Sequence, residues 1–259
     1  MQDEIFMPNS RAGRYGENCA RAFSARGYAD ARAVRKALKH DLSVIKKTVA
    51  QLNRYSESLP KTDSVLLPPE FVWLSDNVYT VEKEGNILKQ ELRGGYRLTS
   101  DRKGRVFVCE MARSLLKTGA DAVTPERIQL FLEGVQRERP LNEDECNLFL
   151  TMLRFAAVEN ICSAAEEIAK ILRAYAAEEA DDPFGAEMIL WKQSLRGGVN
   201  QTLAVYAQTA EKLHGTLAEN IKNSLKLLRA VGSADYNRAV RAVSALEQVL
   251  LDDPDGTYP

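Results

Sequence analysis

The amino-acid sequence predicts an all-α fold, a multi-helix bundle of about seven or eight helices with two long central helices. Apolar residues recur at intervals of three and four along most of the 259 residues, the spacing that places side chains on one face of a helix. Glycine (15) and proline (9) are few, whereas folds built from many short strands need frequent turns. No alternation of apolar and polar residues competes with the helical spacing, so we expect no β-sheet.

The composition excludes several classes of protein. Lys and Arg together number 35 and Asp and Glu 36, giving a formal net charge of -1, which argues against a general nucleic-acid binder. The four cysteines are far apart and only two histidines are present, so we expect neither a zinc site nor a disulfide framework. The sequence shows neither the apolar core of a signal peptide nor a run of about 18 apolar residues. We therefore expect a soluble chain in the cytoplasm with reduced thiols.

Residues 1–60 are predicted to form an N-terminal arm followed by a basic amphipathic helix. Up to about residue 28 the sequence has no sustained period and reads as irregular or weakly helical. From Asp30 an apolar stripe indicates a helix, formed by Val34, Leu38, Leu42, Ile45, Val49 and Leu52. Its outer face is basic, and residues 1–60 contain 11 basic against 6 acidic side chains. This charge fits a solvated helix face, or alternatively an anionic partner such as a membrane surface or phosphates.

Residues 61–259 are predicted to form the all-α domain, in which local signals mark the helix ends. Pro69 suits the first turn of a helix, and Gly94-Gly95 suits its end. Thr124-Pro125-Glu126 is a strong helix start.

Two long helices follow in the same domain. Asn142 with Glu145 resembles a capping box that opens a helix to about residue 180. After a break at Asp182-Pro183 we expect a short helix through Trp191. The second long helix spans residues 199–230, and Ser233 caps a last helix whose inward residues are Tyr236, Val240, Val243 and Leu250.

The sequence contains no recognisable catalytic set. The glycine-rich phosphate-binding motifs and the G-x-S-x-G motif are absent from the sequence. Neighbouring carboxylates such as Glu166-Glu167 point to different helix faces and cannot act on one bond. His40 and His214 lie outside any recognisable nucleophile–base motif, so neither is predicted to be catalytic. Glu159 and Asn160, in the middle of a predicted helix, are interpreted as an interhelical hydrogen-bond pair. We therefore predict no catalytic residue and no metal ligand.

Two polar clusters are candidates for binding. The first is Trp73, Asp76 and Asn77 near the start of a helix, and the second is Arg93 with Tyr96 at a helix end. Aromatic rings stack on sugar rings, and carboxylates and amides bond sugar hydroxyls, so these residue types suit a glucan. They also suit an interdomain contact, or a buried anchor whose polar groups bond the neighbouring backbone.

At these clusters the sequence resembles a known family. FVWLSDNVYTVEKEGNILKQELRGGYRLT is similar to the N-terminal helical region of cyclic β-1,2-glucan synthases, and the resemblance continues through LFLEGVQRERPLNEDECNLFLTMLRFAAVEN to the DDPDGTYP ending. It spans roughly Leu67 to Pro259, and residues 1–60 have no counterpart. The sequence departs from the family at Ser75, at residues 226–229 and at Tyr236. The matching residues are Trp73, Asp76, Asn77, Gly95, Tyr96, Pro140, Leu141, Leu153, Arg154, Glu159, Asn160, Asn223, Ser224, Leu225, Asp235, Glu247, Asp253, Pro254, Gly256 and Tyr258.

The resemblance implies a place in glucan synthesis without catalysis. Such enzymes transfer glucose from UDP-glucose with a divalent metal, in modules that follow this region. The chain is expected to be either a fragment that ends before those modules or a stand-alone relative of this region. The expected function is a non-catalytic accessory domain without a cofactor of its own, which contacts the downstream catalytic modules. It would lie on the cytoplasmic face of a protein held in the inner or plasma membrane. The alternatives are a β-1,2-glucan-binding module, or a scaffold for a partner subunit or an acidic membrane surface.

Overall fold

The computed structural model describes residues 8–58, 68–181 and 201–244. It confirms the all-α fold, with eight α-helices in these ranges. They are α1 (Ala12–Ala22), α2 (Arg32–Ser58), α3 (Pro69–Glu91), α4 (Phe107–Leu116), α5 (Pro125–Glu138), α6 (Glu143–Asp181), α7 (Gln201–Ala230) and α8 (Ala234–Arg241). The longest are α6 with 39 residues and α7 with 30, the two helices predicted to be long. The predicted short helix through Trp191 and the inward position of Leu250 lie outside the described residues.

Local signals place several helix starts correctly. Thr124 accepts a hydrogen bond from the Arg127 backbone N–H (3.3 Å) at the start of α5, with Pro125 as the first helical residue. Pro69 likewise opens α3. Ser233 is the N-cap residue of α8, as predicted, although its hydroxyl makes no capping hydrogen bond. The Ser233 carbonyl instead accepts a bond from the Asn237 side-chain amide (3.1 Å), so only the backbone of Ser233 is used.

A small antiparallel sheet was not predicted. It joins β1 (Gly27–Ala29) to β2 (Leu98–Ser100), with Tyr28 opposite Thr99. The expectation of no sheet is therefore wrong at this point. Three residues are too few to show alternation, so pairing between segments that are distant in sequence decides their structure.

The N-terminus of α6 holds β2 in place. The predicted capping box is present, since Glu145 N–H donates to Asn142 Oδ1 (3.0 Å) and Asn142 N–H donates to Glu145 Oε2 (3.1 Å). The other carboxylate oxygen of Glu145 accepts from the Thr99 N–H (2.7 Å). Asp144 accepts from the Arg97 N–H (2.7 Å), and the Asn142 amide donates to the Arg97 carbonyl (2.9 Å). The Glu145 carboxylate therefore accepts hydrogen bonds from both the N-terminus of α6 and strand β2.

Contacts divide the chain into two compact units. Unit 1 contains the described residues of 1–40, 82–159 and 223–259, and unit 2 contains those of 41–81 and 160–222. The four boundaries fall inside α2, α3, α6 and α7. Each compact unit is thus formed from segments that are distant along the chain, and the domain boundary at residue 60 stays a prediction.

In unit 1 the N-terminal segment is an ordered helix packed on α5. The sequence suggested an irregular or weakly helical arm, since Gly13 and Gly16 lower helix propensity and α1 has no stripe of large apolar residues. These glycines allow direct backbone contact. A methyl group at Gly16 would overlap the Phe131 carbonyl, and one at Gly134 would overlap the Gly13 carbonyl. Tertiary packing therefore outweighs the weak propensity of α1.

Unit 2 forms its core from parts of four helices. The residues buried there include Ile45, Val49, Leu52, Phe71, Leu74, Val81, Ile161, Ala164, Ala165, Ile168, Leu217 and Ile221. Two polar contacts tie α2 to its neighbours: Thr48 donates to the Ala165 carbonyl (3.3 Å), and Ser75 donates to Asn53 Oδ1 (3.0 Å). The predicted stripe of α2 is confirmed, with Leu42 half-buried and the other members buried.

Helix α6 is the most apolar of the long helices. By length and composition alone, Glu143–Arg173 could cross a membrane, and 72% of its apolar window is buried inside the described structure. The core helix of a soluble protein has the same two properties.

Candidate functional site

One face of α3 presents apolar side chains to solvent. Val72, Trp73 and Tyr79 are 42%, 37% and 75% exposed, and among the described residues only Tyr28 is another large apolar side chain with comparable exposure. Asp76, also exposed, lies between them along the helix. We call these four residues of unit 2 the α3 face.

Helical spacing explains why these side chains share a face. Trp73, Asp76 and Tyr79 follow one another at steps of three, so each lies about 4.5 Å further along the axis and about 60° around it from the last. The opposite face of α3 carries Phe71 and Leu74, which are buried in unit 2. The result is a carboxylate between two aromatic rings. Such rings can stack on the apolar faces of sugars, while the carboxylate accepts hydroxyl hydrogen bonds.

Asn77 differs from its two predicted companions. Its side-chain amide donates to the backbone carbonyl of Trp73 (2.9 Å), one turn earlier in the same helix. The residue is half-buried, whereas Trp73 and Asp76 are exposed. The structure therefore brings Trp73 and Asp76 to one surface and uses the Asn77 amide within the helix.

Tyr96, of the second predicted cluster, closes the end of α3. Its hydroxyl donates to the backbone carbonyl of Glu91 (2.6 Å), one of the carbonyls that a helix end leaves unsatisfied. Its ring lies over Gly94, where an added methyl group would come within 2.5 Å of the ring. Arg93 is exposed. These residues belong to unit 1, whereas Trp73, Asp76 and Asn77 belong to unit 2, so the two predicted clusters lie in different units.

An ion-pair cluster near Tyr96 was not predicted from the sequence. The Glu91 carboxylate accepts from the Thr151 hydroxyl (2.8 Å) and pairs with Arg154. Arg154 also lies 3.5 Å from Glu84, and its side chain is only 13% exposed. Glu84 and Glu91 are seven positions apart, which places them on one face of α3, and this spacing was the only available signal. Arg154 joins α6 to both carboxylates, so the cluster holds the two helices together.

Glu159 takes part in an interhelical bond, as predicted, and its partner is Arg113 of α4. The Arg113 guanidinium donates to both Glu159 oxygens (2.7 and 2.5 Å) and to Glu110 (2.5 Å). The hydrogen bond to Glu159 is the largest contribution that raises the pKa of Arg113. Asn160 makes no side-chain hydrogen bond in the described part of the structure.

The other titratable groups do not assemble a reactive set in the described residues. Burial raises the pKa of Cys109 to about 12 and that of Cys146 to about 11, which suppresses the thiolates. His40 is exposed, and the His214 side chain lies outside those described. Within the described ranges no three His, Cys, Asp or Glu side chains are grouped so that they could hold a metal ion.

Comparison with known proteins gives no further assignment. Neither a protein-family model nor a curated protein matches this chain.

Proposed function

We propose that the chain is a non-catalytic helical accessory domain of a cyclic β-1,2-glucan synthase-like enzyme, and that the α3 face binds the glucan. The parent enzyme would transfer glucose from UDP-glucose in modules outside this chain. The observation that carries the proposal is the exposure of Trp73 and Asp76 within the stretch that resembles the family.

Several other residues of the resemblance have evident structural roles. Leu153, Ser224 and Leu225 are buried. Further members are held by polar bonds: Tyr96 bonds the Glu91 carbonyl, Arg154 pairs with Glu84 and Glu91, and Glu159 pairs with Arg113. Packing therefore accounts for these residues.

Packing does not account for the α3 face. An exposed Trp with exposed Val and Tyr side chains on the same helix leaves apolar area in water, which is typical of a binding surface. Because Trp73 and Tyr79 are about 9 Å apart along the helix axis, the two rings could contact neighbouring parts of one saccharide chain. Asp76 between them supplies acceptors for its hydroxyl groups.

The glucan-binding step can be tested by calorimetry with linear β-1,2-gluco-oligosaccharides. We expect measurable binding by the whole chain. Trp73→Ala should weaken it about five- to tenfold, because one stacking partner is lost. Tyr28→Ala is the matched control, since Tyr28 is also an exposed aromatic residue (59%) but lies in unit 1. It should leave the affinity unchanged.

Two results would contradict glucan binding: no heat at millimolar oligosaccharide, or equal losses for Trp73→Ala and Tyr28→Ala. The assignment to a synthase is tested separately by the natural coding sequence. We expect it to continue beyond residue 259 into a glycosyltransferase. Product formation from UDP-glucose by the isolated chain would contradict the non-catalytic role.

A further inference from the structure

Positive charge is concentrated on α2. Between residues 32 and 58 the sequence has seven Lys and Arg residues against two Asp and Glu residues, a difference of +5, whereas the whole chain has a net charge of -1. The remainder of the chain is therefore acidic by six charges, and the positive charge of this helix is a local property.

The charge lies along one side of the helix. Arg32, Lys36, Lys39, Lys46 and Lys47 are all exposed, and at 100° per residue they fall within an arc of about 100°. They extend over about 22 Å of the helix axis. We call these five residues the basic face of α2. The apolar stripe on the opposite side of α2 is buried apart from the half-buried Leu42, so this orientation is fixed by core packing.

Three of the five residues of the basic face form no ion pair within the described part of the chain. Arg32 pairs with Asp30 (2.7 Å). Their side chains are 81% and 42% exposed, so this ion pair contributes little to stability. Lys36, Lys39 and Lys47 form no ion pair with a described carboxylate. Asp41, the nearest acidic residue of the helix, is nine positions after Arg32, which places it on the opposite side.

We infer that the basic face of α2 docks on an anionic membrane surface, a role beyond the proposed glucan binding. A row of lysines on a convex helix suits a plane of headgroups, each side chain adding attraction near the surface. In the described part of the chain, no large apolar side chain of α2 is exposed, so the face lacks the anchors that protein interfaces use. It also lacks exposed aromatic rings for stacking on the bases of a single-stranded nucleic acid.

The test is co-sedimentation of the whole chain with vesicles of phosphatidylcholine alone and of phosphatidylcholine with phosphatidylserine at about seven to three. We expect binding only to the anionic vesicles, and release by high salt. The triple variant Lys36→Gln/Lys39→Gln/Lys47→Gln should bind roughly a hundredfold more weakly, at about fivefold for each lysine. Arg102→Gln/Lys103→Gln/Lys226→Gln is the matched control, since these residues are exposed and lie off the face. It should retain most of the binding.

Three outcomes would overturn the inference: equal binding to neutral and anionic vesicles, equal losses in the two triple variants, or tighter binding to duplex DNA than to anionic vesicles at equal phosphate concentration. Helicity and the unfolding midpoint of each variant show whether a loss of binding reflects a loss of fold. Because none of the six substituted residues is in the α3 face, oligosaccharide affinity should be unchanged in both triple variants. Failure of lipid binding is thus distinguishable from failure of glucan binding.

Discussion

The backbone carbonyl of Gly13 in α1 occupies the space that a side chain on Gly134 of α5 would need. The neighbouring Gly16 meets the Phe131 carbonyl in the same way. Two helices that are far apart in sequence are therefore in backbone contact, and this contact depends on the absence of a β-carbon.

Gly134→Ala is expected to lower the free energy of unfolding by about 1–3 kcal/mol, because the added methyl group overlaps the backbone of α1. Urea denaturation measures the loss, and hydrogen exchange should show faster exchange in α1. Gly215→Ala is the control. Gly215 lies in α7 with open space around it, so alanine should stabilise the protein by about 0.5–1 kcal/mol. Stabilisation by both substitutions would contradict the close contact.

Tyr96 is expected to affect stability and not glucan binding. Tyr96→Phe removes the hydrogen bond to the Glu91 carbonyl and should lower the free energy of unfolding by about 0.5–1.5 kcal/mol. Trp73→Ala should weaken oligosaccharide binding, and it should also lower the free energy of unfolding by about 1–3 kcal/mol, because the residue is only 37% exposed. Denaturation and calorimetry on both variants separate the two roles. A loss of oligosaccharide binding in Tyr96→Phe would contradict this expectation and would indicate that Tyr96 contacts the glucan.

Glu145→Ala should lower the free energy of unfolding, because it removes a hydrogen-bond acceptor from both the N-terminus of α6 and β2. We expect a loss of about 1–3 kcal/mol together with faster hydrogen exchange of the Thr99 amide. Glu143→Ala is the control, since Glu143 is an exposed acidic residue in the same first turn. It should cost only a few tenths of a kcal/mol, about the contribution of an exposed charge near a helix terminus. Equal losses would mean that Glu145 acts through its charge alone.

The ion pair between Arg21 and Glu138 should make stability depend on acid pH. The hydrogen bond from Arg21 lowers the pKa of Glu138 below its ordinary value of 4.5. The resulting stabilisation is fully present above the unfolded pKa and is lost as the pH falls through the lower folded pKa. Glu138→Gln should therefore reduce the pH dependence of the unfolding midpoint below about pH 4.5. Because the pair is exposed, high salt should have a similar effect, and Arg21→Gln serves as the reciprocal control. An unchanged pH dependence in both variants would show that the pair contributes nothing.

The thiols of Cys109 and Cys146 should react slowly with a disulfide reagent near pH 8. Burial raises the pKa of both groups, so few thiolates form, and the reagent has little access. The absorbance of the thiolate that the reagent releases measures the rate of the reaction. Both cysteines should react promptly in denaturant. Fast reaction of either thiol in the folded chain would contradict its buried position.

The features of the fold that depend on local signals could be predicted from the sequence. The start of α5 at Thr124-Pro125 and the capping box of Asn142 and Glu145 follow from bonds within one helical turn. The buried stripe of α2 follows from spacing alone. Helix α1 and the sheet could not be predicted in this way. The glycines of α1 are unfavourable in a helix until α5 packs against them, and β1 and β2 pair across about 70 residues.

The candidate site was only partly accessible to sequence reasoning. Residue type alone predicts Trp73 and Asp76 as binding residues, and both are exposed. Tyr79 was missed, although its position three residues after Asp76 could have indicated it. Tyr96 has the same residue type as a sugar-stacking group, but its hydroxyl is bonded to a helix end.

The order of residues by itself determined most of the helices and where they begin, because these choices depend on bonds between near neighbours. Tertiary structure alone decided which aromatic rings face water and which distant carboxylates share an arginine. It also decided where glycine permits two backbones to touch. These features arise from the approach of chain segments more than 40 residues apart, and no single segment contains the partner that fixes its surroundings.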